Sequence, residues 1–200
     1  STDPSAGRAA PPAPKAARAV PAKPSVDGLE AKWAQHWDAE GTYTFDRTAN
    51  RDEVFSVDTP PPTVSGSLHV GHVFSYTHTD VIARYQRMTG KAVFYPLGWD
   101  DNGLPTERRV ENYFGVVCDP SVPVGMPEIP EQPPSKRHEF VRVSRPDFIE
   151  LCERLLVVDE AAFESLFRTL GLSVDWAYSY ATIDEASRRT SQTAFLADLA

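Results

Sequence analysis

Apolar positions along this chain change period several times, and each change marks an element. Between Ser25 and Glu40, Leu29, Trp33 and Trp37 recur every four residues, which predicts a short helix. Its two tryptophans suit packing onto a neighbouring domain. Glu53 to Asp58 reads EVFSVD, alternating apolar and polar as a strand does. Pro60, Pro61 and Pro62 then force an extended segment and are expected to forbid ladder hydrogen bonds. After Gly66 the helical period returns. Val70, Val73, Phe74, Thr77, Val81, Tyr85 and Met88 form one apolar stripe, ending near Gly90.

Ala92 to Leu97 (AVFYPL) predicts the next strand, and the turn formers of GWDDNGLP follow it. Strand, helix, strand is a βαβ unit, whose two strands run parallel. The predicted class is α/β, with a site at the carboxyl ends of the strands. Cys118 to Pro134 carries six prolines in seventeen residues and predicts loop. Helical spacing resumes from Ser144 to Leu170 through Phe148, Leu151, Leu155, Ala162, Phe163, Leu166 and Leu170. Ser144, three residues ahead of Asp147, is a candidate cap. Asp184 is placed to cap a last helix still running at Ala200.

Composition sets residues 1–25 apart. Eight alanines and six prolines fill that stretch, with four basic residues against one acid. Such a segment cannot build a core, so a disordered, solvated tail is expected. A transit peptide would fit the basic excess but needs an amphipathic helix that six prolines break. Net charge is −8 for the whole chain. From Val26 onward, sixteen basic against 27 acidic residues leave −11. That balance opposes a free-standing domain that holds nucleic acid by charge alone, though a local patch can oppose the net sign. No apolar run has the length of a membrane span. Cys118 and Cys152 are the only cysteines and form no CxxC pair, which fits a reducing, cytoplasmic setting.

The densest chemistry lies in Pro60 to His72, PPPTVSGSLHVGH. His69 and His72 are three apart, on one face of a helix's first turn. The turn's unpaired N–H groups and the helix dipole favour phosphate oxygens there. Gly71, lacking a side chain, would let a flat ring approach the backbone. Two other readings of the histidines stand beside this one: satisfied surface residues, or half of a zinc site. Neither HExxH nor HxxEH accompanies them.

PPPTVSGSLHVGH followed by GWDDNGLPTE resembles the class I aminoacyl-tRNA synthetases, whose first signature is His-Ile-Gly-His. Val70 replaces the isoleucine, and Asp100 follows His69 by 31 residues. The resemblance runs on through ARYQRMTGKAVFYPLGWD and LGLSVDW, covering about Gly28 to Ala200. Within the valine, isoleucine and leucine subgroup, PPPTVSG is similar to the valine branch's PPPNVTG. GWDDNGLPTE looks more like the leucine and isoleucine form than the valine form, GTDHAGIATQ. The chain is read as a divergent bacterial valine-type member, with a leucine- or isoleucine-type member as the alternative. A synthetase-like binding module without catalysis is a further alternative.

The resemblance implies a Rossmann-like catalytic domain, of which residues 26–200 form the N-terminal part ahead of an editing insertion. It implies ATP (with Mg²⁺), valine and tRNA(Val) as partners, no bound zinc in this segment, no membrane, and a monomer. His69 and His72 would be catalytic and contact the ATP phosphates, and Gly71 would lie under the adenine. Pro60 and Pro61 would shape the amino-acid pocket, and Asp100 would bind the substrate ammonium. Thr63 stands where the valine branch has Asn, another ammonium contact. Asn102, Glu107 and Arg108 are nearby polar candidates without an assigned task. The second signature, Lys-Met-Ser-Lys-Ser, does not occur in these 200 residues, so they are expected to be inactive alone.

Overall fold

Residues 92–100 form the axis of the molecule. In the computed structural model, which describes residues 25–66 and 68–199, β1 (Val54–Ser56) pairs in parallel with β2 (Ala92–Phe94), Phe55 opposite Val93. β3 (Gly98–Trp99) pairs in parallel with β6 (Tyr180–Ala181). Carbonyls alternate in direction along this stretch. Phe94 accepts from Val57 and Pro62 from Asp100 on one side, while Tyr95, Leu97 and Trp99 accept from Asp175, Tyr180 and Thr182 on the other. The segment 92–100 is therefore a central strand, with 54–64 along one edge and 175–182 along the other. The expected βαβ unit is present, closed by α2 (Val70–Met88). The prolines do not exclude that edge from pairing, because Pro62 still offers a carbonyl, 2.9 Å from the Asp100 nitrogen. The expected tail falls outside the described residues, apart from Ser25.

The first helix is α1 (Leu29–Glu40), shorter at its start than the spacing predicts, and set between left-handed Gly28 and Gly41. Trp37 does not await another domain. It packs on Tyr43, under the Arg84 guanidinium and against Gly171, where a Cβ would come within 3.0 Å of its ring. Trp33 stacks on Trp37 and is partly exposed.

The face of α2 is the main departure. Phe74, Thr77, Val81, Tyr85 and Met88, half of the expected inward stripe and more, are exposed, and Tyr76, Asp80 and Ala83 are buried instead. Polar pairing sets this orientation. Asp80 accepts from the Ser173 nitrogen and hydroxyl at 2.6 and 2.5 Å, Arg87 holds Ser173, and Arg84 reaches Asp80, Tyr43 and the Gly171 carbonyl. A buried acid with this many donors is satisfied, so hydropathy along α2 points away from the contact.

Besides β3 and β6, three elements were not expected. α3 (Leu104–Phe114) starts inside the predicted loop, with Pro105 in its first turn and Gly115 at its end. β4 (Val116–Cys118) and β5 (Val141–Val143) form a parallel pair beneath it. α4 (Arg145–Thr169) and α5 (Glu185–Asp198) stand where helices were expected, though α5 ends at Asp198, capped by Leu199, rather than still running at Ala200. Ser144 accepts from the Asp147 nitrogen, and Asp184 from the Ser187 nitrogen, as caps.

Two apolar clusters result. One, around Tyr95, Leu97, Trp99, Phe163 and Phe167, lies beneath the carboxyl end of the central strand. The other joins α3, β4, β5 and the first half of α4 through Val110, Val116, Val143 and Leu151. Cys118 and Cys152 border the second cluster as free thiols, and burial pushes the Cys152 thiol up to about 11. No helix among the described residues is long and apolar enough to cross a membrane.

Candidate active site

Thr63 and Asp100 sit at the carboxyl ends of neighbouring parallel strands and form a bridge. Val64 donates to the Asp100 carbonyl and Asp100 to the Pro62 carbonyl, both at 2.9 Å. The Thr63 hydroxyl donates to Asp100 Oδ2 at 3.0 Å, and the Asn102 nitrogen approaches Oδ1 at 3.4 Å. The carboxylate is thereby oriented, with acceptor capacity left on both oxygens. Tyr76, on α2, donates its hydroxyl to the Pro60 carbonyl at 2.6 Å, fixing the proline segment from beneath. Burial pushes the Tyr76 phenol up to about 12, with Tyr180 adding to it, so it stays a donor.

The helix entrance is built differently. His69 is the N-cap of α2, and its Nδ1 accepts from the Gly71 nitrogen at 3.1 Å. His72 Nδ1 accepts in return from the His69 nitrogen at 3.3 Å. The two imidazoles stack with centroids 4.0 Å apart. Accepting at Nδ1 leaves the proton of each neutral ring on Nε2, so each imidazole retains an outward donor. Burial, and then the charge of His69, lowers the His72 pKa and favours that neutral form. The amides of the first turn are therefore partly engaged by the histidines rather than all free. The space over Gly71 is taken by His69, since a Cβ there would stand 2.9 Å from the His69 ring.

Two open cavities adjoin the pair. One, of about 430 Å³, is lined by Thr63, Ser65, Gly66, His69, His72 and Phe163. The other, of about 460 Å³, brings Pro60 and Pro61 together with His69, Gly71, His72 and Tyr76. All the sequence-predicted site residues thus gather at one end of the central strand. Asp100 joins them through Thr63. Among the remaining candidates, Asn102 donates to Thr182, whereas Glu107 and Arg108 are exposed on α3. Sequence reasoning missed Tyr76 and Phe163. Phe163 meets the His72 ring at 5.5 Å and the Trp99 ring at 6.4 Å, linking the two edges of the site. Among the described residues, no three His, Cys, Asp or Glu side chains are grouped to hold a metal ion.

The family model for tRNA synthetases class I (I, L, M and V) matches residues 32–198. The chain belongs to that family. Its relatives include the valine–tRNA ligases of Thermobifida fusca (strain YX), 65% identical over 90% of this chain, and of Salinispora arenicola (strain CNS-205), 62% identical over 90%. That of Leifsonia xyli subsp. xyli (strain CTCB07) is 61% identical over 88% of this chain. These alignments cover 20%, 21% and 22% of the relatives, so the chain spans about a fifth of their length. Among solved structures, Agrobacterium radiobacter K84 agnB2 LeuRS, in a ternary complex with tRNA and LeuAMS, superposes with a TM-score of 0.53 at 26% identity. It covers 84% of this chain and 17% of its own. In this class I synthetase chain, the two-residue pairing of Thr63 with Asp100 and the reciprocal capping of His69 and His72 occupy the segments that carry the family resemblance.

Proposed function

We propose that this chain supplies the amino-acid-activating centre of a valine–tRNA ligase. Such an enzyme converts valine and ATP to valyl-adenylate and pyrophosphate, then transfers the acyl group to tRNA(Val). The observation that carries the reading is the convergence, at one strand end, of an oriented carboxylate and two imidazoles held through Nδ1 with Nε2 left to donate. The relatives' names supply valine as the amino acid.

The substrate ammonium pairs with Asp100, whose carboxylate Thr63 holds in place. Pro60 and Pro61 border the side-chain pocket, and their rigid rings suit a small branched group. His69 and His72 donate from Nε2 to the ATP phosphates, and the adenine reaches Gly71 only once the His69 ring that covers it turns aside. A carboxylate oxygen of valine then attacks the α-phosphorus, and pyrophosphate carries away the electron pair of the broken P–O bond. No side chain becomes covalently attached, so these residues act by positioning and by stabilising charge. Mg²⁺ enters on the phosphates of ATP and neutralises part of their charge.

Amino-acid-dependent ATP–pyrophosphate exchange by the full-length natural polypeptide tests this reading, with valine, isoleucine, leucine and threonine supplied separately. Exchange strongest with valine is expected. A preference for leucine or isoleucine would keep the chemistry and reassign the pocket, as the form of GWDDNGLPTE would then explain. No exchange from a folded protein would leave a binding module.

A further inference from the structure

Asp101 follows Asp100 in the chain. It is only 4% exposed, and neither carboxylate oxygen receives a hydrogen bond from any N–H or O–H group. Its own backbone is well held, its nitrogen donating to the Thr182 hydroxyl at 3.1 Å. The side chain within hydrogen-bonding reach is Glu160, half-buried on α4. Two ionised carboxylates cannot bond each other, because both are acceptors only. A single proton converts the contact into a charge-assisted O–H···O bond and gives the orphaned acceptor its donor.

Asp100 acts on Asp101 from the same loop and Glu164 on Glu160 from the same helix, and both are acids. On α3, the Thr106 hydroxyl is buried and makes no hydrogen bond, and Arg109 is taken by Asp159 of α4 through two bonds of 3.1 Å. From the β6 side, Thr182 is used by the Asp101 nitrogen and the Asn102 amide. Burial first, then Asp101, pushes the Glu160 carboxyl up to about 7, and burial also raises that of Asp101.

We propose that Asp101 and Glu160 hold one proton between them, and that this shared proton latches the 98–103 loop to α4 and so positions Asp100. Asp101 and Glu160 are positioning residues; neither reaches the substrate. The functional part of the inference rests on Asp100 being the ammonium site, but the shared proton does not.

Above about pH 7 the pair loses its proton, two buried carboxylates repel, and the loop loosens. The test uses the full-length natural polypeptide and two readouts across pH 6 to 8.5. One is hydrogen exchange of the 98–103 amides, corrected for the intrinsic pH dependence; the other is the valine and ATP KM in pyrophosphate exchange. Valine KM should rise about tenfold over this range, with ATP KM steady, as the latched population falls. Glu160→Gln places a permanent donor beside Asp101 and should flatten both the exchange and the valine KM profiles. Asp101→Asn should do the same from the other side, and serves where the first variant fails to fold. Identical loop-exchange profiles in wild type and a folded variant would overturn the shared proton. A loop profile that flattens in the variant while valine KM is flat throughout would support the proton and overturn the Asp100 reading.

Discussion

The two edges of the site hold their polar groups in contrasting ways. At the strand-end loop, Asp100 is fixed by a backbone bridge and by Thr63, contacts that span 37 residues of sequence. At the helix entrance, His69 and His72 are fixed by each other and by amides within the same turn. The first edge is preorganised by long-range structure and holds a carboxylate in a set position. The second is satisfied locally, so under the proposed function a phosphate would have to compete with, or build upon, bonds the histidines already make. On the proposed function, selectivity for the amino acid would belong to the rigid edge and response to the nucleotide to the adaptable one.

Removing the charge from the rigid edge should have the largest effect. Asp100→Ala should raise the valine KM or Kd on the order of 10³-fold, the scale of truncating a buried ion pair, while ATP binding changes little. Calorimetric titration with each substrate checks this. Equal loss of both would place Asp100 in folding rather than in ammonium recognition. At the other edge, His69→Ala or His72→Ala should slow adenylate formation by about 10²- to 10³-fold with valine binding preserved, if each supplies a donor to developing charge. Single-turnover kinetics separate the two steps, and an unchanged chemical rate would remove the phosphate role.

The contrast also decides what could be read in the sequence. Local devices were legible: the capping Ser144 and Asp184, and the His-Val-Gly-His start of α2. Long-range devices were not. Strands β3 and β6 have two residues each and β4 and β5 three, too short for alternation to show. α3 was hidden because Gly103 and Pro105 read as turn formers, although Pro in a first turn and Gly115 after the last are helix boundaries too. The inward face of α2 was assigned to apolar residues, whereas Asp80, Arg84 and Arg87 dock it through partners some 90 positions away. In the site, the residues themselves were legible from the motif. The Thr63–Asp100 bond, Tyr76 and the Asp101–Glu160 contact were not, because each depends on strand register or on a distant helix.

A smaller perturbation sharpens the role of the rigid edge. Thr63→Val keeps the shape and the backbone bridge but deletes the hydroxyl that donates to Asp100. Loss of one bond to a charged group should raise valine KM about tenfold, with kcat and ATP KM little changed. Thr63→Ser restores the donor and should recover most of the loss. If Thr63→Val behaves as wild type, Asp100 is held by its backbone alone.

The smallest effect concerns the adaptable edge, and it is read by titration. His72 is lowered below the ordinary imidazole pKa of 6.5 by burial and, second, by His69. Between the lowered folded value and 6.5, the unfolded chain binds more protons than the folded one. The neutral cap is thus fully present above about pH 6.5 and is lost as pH falls through the folded value. Protonation costs His72 its Nδ1 acceptor, which frees the His69 nitrogen and loosens the start of α2. Histidine ring resonances, followed in selectively labelled protein, should show His72 titrating below 6.5. His69→Asn removes the neighbouring charge but leaves the burial, so the midpoint should rise only part of the way back. A midpoint at or above 6.5 in the wild type, or one indifferent to His69→Asn, would mean that the stacked rings do not act as a coupled cap. The helix entrance would then be as independent of its neighbours as the strand-end loop is bound to them.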